Sequence, residues 1–250
     1  MDYQQFMGLV RRAIDDYRMI EEGDQIAIGI SGGKDSLALA MALKGIQEYY
    51  PRHFSLRAFT VSLGFPEYDV SPIADWMRSM DIPYSLIETN IASVVFDERK
   101  EKNPCSLCAQ LRKGALNRYA KDQGCNKTAL GHHLDDVVET FYLSLFYEGR
   151  LHTFQPVTYL TRTGLTVLRP MIYVKEADVI GFAKRQNLPV VKNPCPVDGR
   201  TERHSFKEQI AEWNKTYGKM TEKTFTAIQN ALPDWEITDS LSSRRRKPVK

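Results

Sequence analysis

The chain has 250 residues, of which 42% are hydrophobic and 26% charged, a composition that excludes disorder over most of its length. Its net charge is +3, but five basic residues lie in the last eight positions and the remainder carries 29 basic against 31 acidic residues, so composition alone does not indicate a nucleic-acid-binding protein. No apolar run approaches the roughly 20 residues of a membrane span, and the N-terminal region carries acids without a hydrophobic signal core, so we expect a cytoplasmic protein that does not enter the membrane.

The predicted elements alternate between helices and strands. Apolar residues recur at helical spacing over residues 4–20, which predicts a lead-in helix. The run GDQIAIGI is typical of a buried parallel strand; SGGKDS follows it, and LALAMALKGIQEYY is strongly helical. The next predicted elements are a strand at 54–62, a helix at about 69–80, a strand at 84–88, a helix at about 107–121, a strand at 127–131, a helix at 133–147 and, after RPMIYV, helices at about 175–187 and 203–231.

This alternation predicts an α/β fold, a doubly wound parallel sheet with helices on both faces and helical additions at both ends. The predicted division is an N-terminal helix (1–22), a sheet domain (23–200), a C-terminal helical segment (201–238) and a flexible, solvated basic tail (239–250). In such sheets ligands bind beyond the carboxyl ends of the strands. SGGKDS and GHHLDD each follow a predicted strand, so they should share one crevice.

The SGGKDS segment has the features of a phosphate-binding loop. Its glycines let the backbone turn tightly and bring successive N–H groups to an anion, and the helix that follows directs its positive end to the same point. Ser31 and Ser36 add hydroxyl donors, while Asp35 can hold Mg²⁺ or cap the helix. The alternative is a strand-to-helix turn in which these residues serve geometry alone.

The strand, SGGxDS and helix lack the GxxxxGK[ST] pattern of the Walker loop and resemble the PP-loop of the N-type ATP pyrophosphatases, which are adenine nucleotide alpha hydrolase-like (HUP) proteins. Members of that superfamily cleave ATP between the α and β phosphates. The resemblance implies ATP binding by Ser31, Gly32, Gly33, Lys34, Asp35 and Ser36.

The cysteines leave several kinds of site open. Cys105 and Cys108 form a CxxC pair in NPCSLC, and NPC recurs at Cys195. Four cysteines are too few for a disulfide scaffold, and the CxxC pair follows the charged stretch DERKEKNPC, unlike a thioredoxin-like redox site. With His204, the three cysteines could hold a structural zinc ion. Three thiolates suit a 4Fe-4S cluster with one open iron equally well, and ligand type alone does not separate the two.

Five motifs in order resemble one family: SGGKDS, NPCSLCAQLRKGALNRYA, GHHLDDVVETFYLSLFYEG, RPMIYVKEADVIGFAKRQNLPVV and NPCPVDGRTER. They are similar to the tRNA 2-thiocytidine synthetase family and its thiouridine-forming relatives, over about residues 23–203. The resemblance implies ATP and Mg²⁺ at the phosphate loop and a 4Fe-4S cluster on Cys105, Cys108 and Cys195. The thiouridine-forming relatives typically carry a zinc-ribbon with further CxxC pairs, which this chain lacks; the 2-thiocytidine branch is therefore favoured.

GHHLDD and Arg112 each have a structural and a functional interpretation. A histidine pair can cap the following helix, with the two acids as ordinary first-turn residues. By resemblance, Asp135 is instead a candidate catalytic acid or base, or a Mg²⁺ contact, and Gly131 and His132 lie near the nucleotide. Arg112 follows Cys108 by four residues, where the thiouridine relatives place a functional lysine. A guanidinium can stabilise phosphate charge but cannot take up a proton at neutral pH; the alternative is a solvated helical arginine.

The resemblance implies a tRNA sulfurtransferase. ATP would adenylate the C2 oxygen of a pyrimidine, with cytidine to 2-thiocytidine in the anticodon loop as the favoured case. Sulfur carried on the cluster would replace that oxygen, with release of AMP and pyrophosphate. The expected partners are tRNA, a sulfur donor such as a cysteine desulfurase or inorganic sulfide, and a second copy of the chain in a homodimer. The alternatives are a thiouridine-forming relative, a PP-loop ligase with structural zinc, and a non-enzymatic sensor that binds ATP or a cluster.

Overall fold

A single mixed sheet forms the centre of the fold. The computed structural model describes residues 1–99, 104–192, 194–195 and 202–237, without the side chains of 202–204. Among these residues the strands are β1 (Asp24–Gly29), β2 (Phe54–Val61), β3 (Tyr84–Ile87), β4 (Lys127–Ala129), β5 (Val157–Leu160) and β6 (Leu165–Leu168). Their order across the sheet is β3-β2-β1-β4-β6-β5. All neighbours run parallel except β5 and β6, so the predicted α/β class is confirmed.

The antiparallel hairpin of β5 and β6 was not among the predicted strands. It forms the edge of the sheet and turns at Thr163 and Gly164, where the glycine has a φ of +69°. The hairpin adds β6 beside β4 in parallel. It therefore extends the predicted parallel sheet without changing the order of the strands that carry the motifs.

The long predicted helices are present with shifted ends, whereas the short helix at Ile91–Ser93 and the π-helical turn at Val94–Glu98 were not predicted. In the described residues they are α1 (Tyr3–Asp16), α2 (Lys34–Gln47), α3 (Ser71–Ser79), α4 (Ile91–Ser93), α5 (Pro104–Asp122), α6 (Leu134–Leu143), α7 (Glu176–Arg185), α8 (Glu202–Tyr217) and α9 (Met220–Ala231), with π-helical turns at Val94–Glu98 and Ser144–Glu148 and a 3₁₀ turn at Pro233–Trp235. The single helical segment predicted at 203–231 is two helices, because Gly218 and Lys219 adopt positive φ angles and reverse the chain between them. None of the described helices is long and apolar enough to cross a membrane.

Apolar cores cover both faces of the sheet. The larger core joins α1, α2, α6, α7 and α9 to one face. The smaller lies under α5, where Leu116 packs with Phe59 of β2 and with the buried Cys125. Helices therefore flank the sheet on both sides, as predicted. Both α1 and α9 belong to the larger core. The predicted division of the chain into an N-terminal helix, a sheet domain, a C-terminal segment and a tail stays a prediction. Residues 196–201 and 238–250 lie outside the described residues.

The strand order also fixes where a ligand can bind. From β1 the chain continues to β2 and β3 on one side of the sheet, whereas β4, β6 and β5 lie on the other side of β1. The strand order therefore reverses between β1 and β4. In parallel sheets a crevice opens at such a reversal, beyond the carboxyl ends of the strands. SGGKDS follows β1 and GHHLDD follows β4.

Candidate active site

A cavity of about 440 Å³ lies at this reversal of the sheet. Its wall includes Ser31, Asp35 and Ser36 of the first motif and Gly131 and His132 of the second. The two motifs share one crevice, as the sequence predicts. Helix α5 and the end of β2 form the opposite wall, and Pro194, which precedes Cys195, lies at its border.

The loop after β1 is held in shape by its own serines. Ser31 N–H donates to Ser36 Oγ at 3.1 Å, and Ser36 Oγ–H donates to the Gly33 carbonyl at 3.0 Å. Helix α2 begins at Lys34, directly after Gly33 at its N-cap. The positive end of α2 therefore faces the cavity, as a phosphate site requires.

Two further segments close over this loop at Gly32. Gly32 has a φ of +80°, and a Cβ there would lie 2.8 Å from Tyr68 Oη. Tyr68 Oη–H donates to the Ser31 carbonyl at 3.0 Å, and Val191 N–H donates to the Gly32 carbonyl at 3.0 Å. Burial raises the pKa of Tyr68 to about 12, with Arg112 acting in the opposite direction. The segment that leads to Cys195 is thus bonded directly to the phosphate loop.

Lys34 and Asp35 belong to a chain of ion pairs. Lys34 Nζ lies 3.1 Å from Asp35 Oδ2 and 3.2 Å from Glu176 Oε1, while Lys207 Nζ of α8 lies 2.5 Å from Glu176 Oε2. Burial opposes the charge of Lys34, but the two carboxylates outweigh it and raise the pKa of Lys34. Asp35 Oδ1 is buried and has no hydrogen-bond partner among the described residues. His133 Nε2 lies 3.8 Å from this oxygen, beyond hydrogen-bond distance.

The ion pair at Glu176 gives a stability prediction that depends on pH. Burial raises the pKa of Glu176, but Lys207 and Lys34 outweigh it and bring the pKa below the ordinary 4.5. Because the folded-state pKa is depressed, this stabilisation is present above pH 4.5 and is lost as the pH falls through the folded-state pKa. We expect Glu176→Gln to lower the free energy of unfolding by about 1–2 kcal/mol at neutral pH, with a smaller difference in acid, measured by denaturant unfolding.

The matched control for Glu176 is Glu222, whose pair with Lys175 is more exposed. Glu222→Gln should cost less than about 1 kcal/mol. Equal losses for the two variants at neutral pH would contradict a special role for the pair beside the loop.

The GHHLDD segment caps α6. His133 N–H donates to Asp136 Oδ2 at 2.9 Å, and Asp136 N–H donates to His133 Nδ1 at 3.4 Å. Asp135 Oδ2 accepts from Glu176 N–H at 2.7 Å, so it holds the start of α7. As far as the described residues form it, the cavity wall includes Asp136 and not Asp135. The capping interpretation therefore describes His133 and Asp136, while the catalytic role of Asp135 stays a prediction.

His132 packs against Phe154, which in turn packs against a buried arginine. The ring centroids of His132 and Phe154 lie 4.8 Å apart, and the guanidinium carbon of Arg169 lies 4.8 Å from the centroid of the same Phe154 ring. Burial lowers the pKa of Arg169 to about 10. This packing fixes His132 in the cavity wall.

Gly131 brings the end of β4 against the start of α2. A Cβ at Gly131 would lie 2.9 Å from the carbonyl carbon and oxygen of Asp35. Since both contacts are to backbone, neither can move aside cheaply. We expect Gly131→Ala to lower the free energy of unfolding by about 1–3 kcal/mol and to weaken ATP binding, as measured by denaturant unfolding and calorimetry.

Gly114 of α5 is the matched control for Gly131. A Cβ there would meet nothing within 4 Å, so Gly114→Ala should stabilise the helix by roughly 0.5–1 kcal/mol. A loss of stability in Gly114→Ala, or no loss in Gly131→Ala, would contradict the close contact between Gly131 and the backbone of Asp35.

The three predicted cysteines, Cys105, Cys108 and Cys195, are half-buried and form no disulfide among the described residues. Burial raises the pKa of Cys108, Arg112 opposes this, and Cys195 and Cys105 raise it further. Among the described residues, however, no three metal-ligating side chains are gathered closely enough to hold an ion, and the side chain of His204 lies outside them.

Helix α5 extends further toward the N-terminus than the sequence predicts. Its described part runs from Pro104, before the predicted residue 107, so Cys105 and Cys108 lie in the first two described turns. Redox dithiols open a helix directly after a strand, whereas the described element that precedes α5 along the chain is the π-helical turn at Val94–Glu98.

Arg112 lies between the cysteines and the phosphate loop. It lines the cavity and acts on the pKa of both Cys108 and Tyr68. The same face of α5 continues along the cavity with Lys113, Leu116 and Asn117. The sequence did not single out Lys113, Asn117 or Tyr68; the signal for the first two is their spacing of four and eight residues from Ala109, which puts all three on the cavity-lining face of α5, and Tyr68 lies in a loop that gives none.

Comparison with families and curated proteins points to one group. A family model described as a PP-loop domain matches residues 5–213. The tRNA-cytidine(32) 2-sulfurtransferase of Dichelobacter nodosus is 38% identical over 227 residues, which cover 90% of this chain and 85% of the relative. The protein of the same name from Geobacter metallireducens is 36% identical over 234 residues, covering 92% and 91%.

Solved structures share the fold at low sequence identity. The U34-tRNA thiolase NcsA from Methanococcus maripaludis, solved with its 4Fe-4S cluster, has a TM-score of 0.74 at 22% identity and covers 91% of this chain and 77% of its own. The NH3-dependent NAD synthetase from Campylobacter jejuni has a TM-score of 0.50 at 13% identity, with full coverage of both chains. These two likenesses show the fold alone.

Proposed function

The chain belongs to the PP-loop family and, within it, to the tRNA-cytidine(32) 2-sulfurtransferases, and from this membership we infer that it catalyses the ATP-dependent conversion of a tRNA cytidine to 2-thiocytidine. The observation that carries the proposal is the shared cavity. It brings a phosphate loop on β1 and α2 together with Arg112 of α5, the helix that begins with Cys105 and Cys108. ATP activation and sulfur delivery can then take place in one enclosure.

The phosphate loop is proposed to bind ATP through Ser31, Gly32, Gly33, Lys34, Asp35 and Ser36, with Gly131 and His132 beside the nucleotide. The support is the position of the α2 N-terminus and of Lys34, which together offset phosphate charge. A magnesium ion is proposed at Asp35, because its buried Oδ1 has no hydrogen-bond partner in the described part of the chain. Carboxylate oxygens are the ligands that Mg²⁺ prefers.

The cysteines fit an iron-sulfur cluster in number and chemistry. We propose that Cys105, Cys108 and Cys195 hold it, since none of them forms a disulfide in the described structure and both other thiols act electrostatically on Cys108. Bound in this way, a 4Fe-4S cluster would supply one iron without a protein ligand, a position suited to sulfur. A zinc site that includes His204 has no support from the described side chains.

The activating step is the transfer of AMP from ATP to the target base, beside the phosphate loop. The C2 oxygen of the base attacks the α-phosphorus of ATP, the bond to the β-phosphate breaks, and pyrophosphate leaves. Lys34, the α2 N-terminus and Arg112 offset the charge that develops on the departing phosphates. Oxygen bound to phosphorus is then a good leaving group, so a sulfur nucleophile at C2 displaces AMP, which carries away the oxygen of the base.

Two acids are candidates for handling protons and Mg²⁺ in this step. Asp136 lines the cavity, and we propose it as the acid that acts there. Asp135, the predicted catalytic residue, is proposed to position Lys34. It accepts a hydrogen bond from Glu176 N–H, and the carboxylate of Glu176 pairs with Lys34. Arg112 serves as a cation only, since a guanidinium keeps its proton at neutral pH.

The target base of the tRNA must be unstacked from its neighbours before it can enter the cavity. A tRNA loop meets this requirement more readily than a duplex. Arg112 and Lys113 are exposed cations at the wall, so RNA affinity should fall steeply with salt. A sulfur donor such as a cysteine desulfurase or inorganic sulfide, a cytoplasmic location and a homodimer belong to the same proposal.

The test is anaerobic reconstitution of the purified protein with iron and sulfide, followed by ATP, Mg²⁺, tRNA and a sulfur source. The expected products are AMP, pyrophosphate and 2-thiocytidine, detected by nucleoside mass spectrometry. Formation of 2-thiouridine would identify a thiouridine-forming enzyme, and a product without sulfur on a zinc-containing protein would identify a ligase. Absence of pyrophosphate release with ATP and tRNA together would favour a binding module.

A further inference from the structure

Asn117 is a buried amide that faces the cavity without a partner. It lies on α5, is only 4% exposed, and lines the cavity wall. Within the part of the chain that the structure describes, its side chain forms no hydrogen bond. Most buried polar groups in proteins are satisfied, by other protein groups or by a molecule bound beside them. The amide is therefore expected to find its partner in a molecule that enters the cavity.

Part of the cavity wall is apolar and suits a flat ring. Phe59 of β2 and Leu116 of α5 are almost fully buried and line the same cavity as Asn117, together with Leu130 after β4. The wall also carries charged and hydroxyl groups, at Ser31 and Asp35 of the loop and at Arg112 and Lys113 of α5. Ligand sites commonly combine such an apolar lining with a few polar groups that fix orientation.

We propose that Asn117 binds the edge of the adenine ring of ATP. Its Oδ1 accepts from the 6-amino group, and its Nδ2 donates to the neighbouring ring nitrogen. Asparagine pairs in this two-bond manner with adenine elsewhere. The inference rests on the proposed function, because it requires ATP in this cavity, and it adds the residue that selects the base.

The chemistry recognised by the amide is an amino group beside an unprotonated ring nitrogen. Cytosine presents the same pair, so the target base is a second source of it. Adenine is favoured because the phosphate loop lies in the same cavity and fixes one end of the nucleotide. The base of the same molecule then fills the apolar part.

The test compares ATP with purine riboside triphosphate, which lacks the 6-amino group. Dissociation constants are measured by calorimetry for the wild-type chain, Asn117→Leu, Asn117→Ala and the exposed control Asn90→Ala. Wild type and control should prefer ATP by roughly 10-fold or more. Both Asn117 variants should lose that preference, because each removes the amide oxygen that accepts from the 6-amino group. Using two variants guards against one that fails to fold.

The other outcomes are distinct. Variants that keep the full preference for ATP overturn the inference, and if they also lose affinity for tRNA, the amide reads the target cytosine instead. A wild-type chain that binds both nucleotides equally overturns the inference and leaves the proposed function standing. A wild-type chain that binds neither nucleotide overturns both.

Discussion

Cys195→Ala abolishes formation of 2-thiocytidine and leaves ATP binding unchanged. The reason is that the proposed sulfur-carrying site uses three thiolates, and Cys195 is the one supplied from outside α5. Residual thiolation is expected below about one part in a hundred of wild type, a loss comparable to removing a principal catalytic group. Thionucleoside yield, iron content and ATP affinity are measured on the same anaerobic preparation.

The control for this variant is Cys125→Ala. Cys125 is buried in the smaller core, only 4% exposed, and no part of the cavity wall formed by the described residues. The Cys125→Ala variant should keep full iron content and full thiolation activity, with a modest loss in the free energy of unfolding. Full thiolation by Cys195→Ala would exclude the three-cysteine site, and loss of ATP binding would mean that Cys195 acts through the Val191 contact with Gly32.

Arg112→Ala lowers the rate of thiolation by roughly 100-fold, as expected when one charge-stabilising donor is removed. Arg112 lines the cavity and lowers the pKa of Cys108, so two effects are separable. Single-turnover rates report the chemical step. Alkylation of the cluster-free protein reports the thiol: without Arg112 the pKa of Cys108 rises, less thiolate is present at a given pH, and alkylation slows.

Two further variants sharpen the result for Arg112. Arg112→Lys keeps the charge without the planar fork of donors and should recover part of the rate. Arg118→Ala removes an exposed arginine of the same helix that does not line the cavity in the described structure, and should react normally. Equal losses at both arginines would indicate general electrostatic attraction of tRNA and not a role at the reacting groups.

Much of the fold and of the crevice was predictable because the rules are local. A buried strand, two glycines and an Ala/Leu helix specify the loop at Ser31 to Ser36, and the reversal of strand order brings GHHLDD beside it. The hairpin of β5 and β6 also had a signal, with alternating apolar residues on either side of a turn at Gly164. The break at Gly218 could have been read from the glycine in the same way.

The remaining site residues depend on tertiary contacts. Tyr68 reaches the phosphate loop from a connecting segment, and nothing in the local sequence indicates that its hydroxyl bonds to Ser31. Asn117 is identifiable only when the face of α5 that meets the sheet is known. Asp135 and Asp136 are adjacent and chemically identical, and only the contact with Glu176 separates their positions. Sequence pattern specifies which residue types are present; packing decides which of them face the ligand.

The central claim, that ATP adenylates the base before sulfur enters, is tested most directly with oxygen-18. A tRNA carrying oxygen-18 at C2 of the target cytidine is thiolated in ordinary water under single-turnover conditions, and the AMP is analysed by mass spectrometry. The mechanism predicts one oxygen-18 atom in AMP for each 2-thiocytidine formed. AMP without the label, alongside normal thiolation, would contradict adenylation of the C2 oxygen.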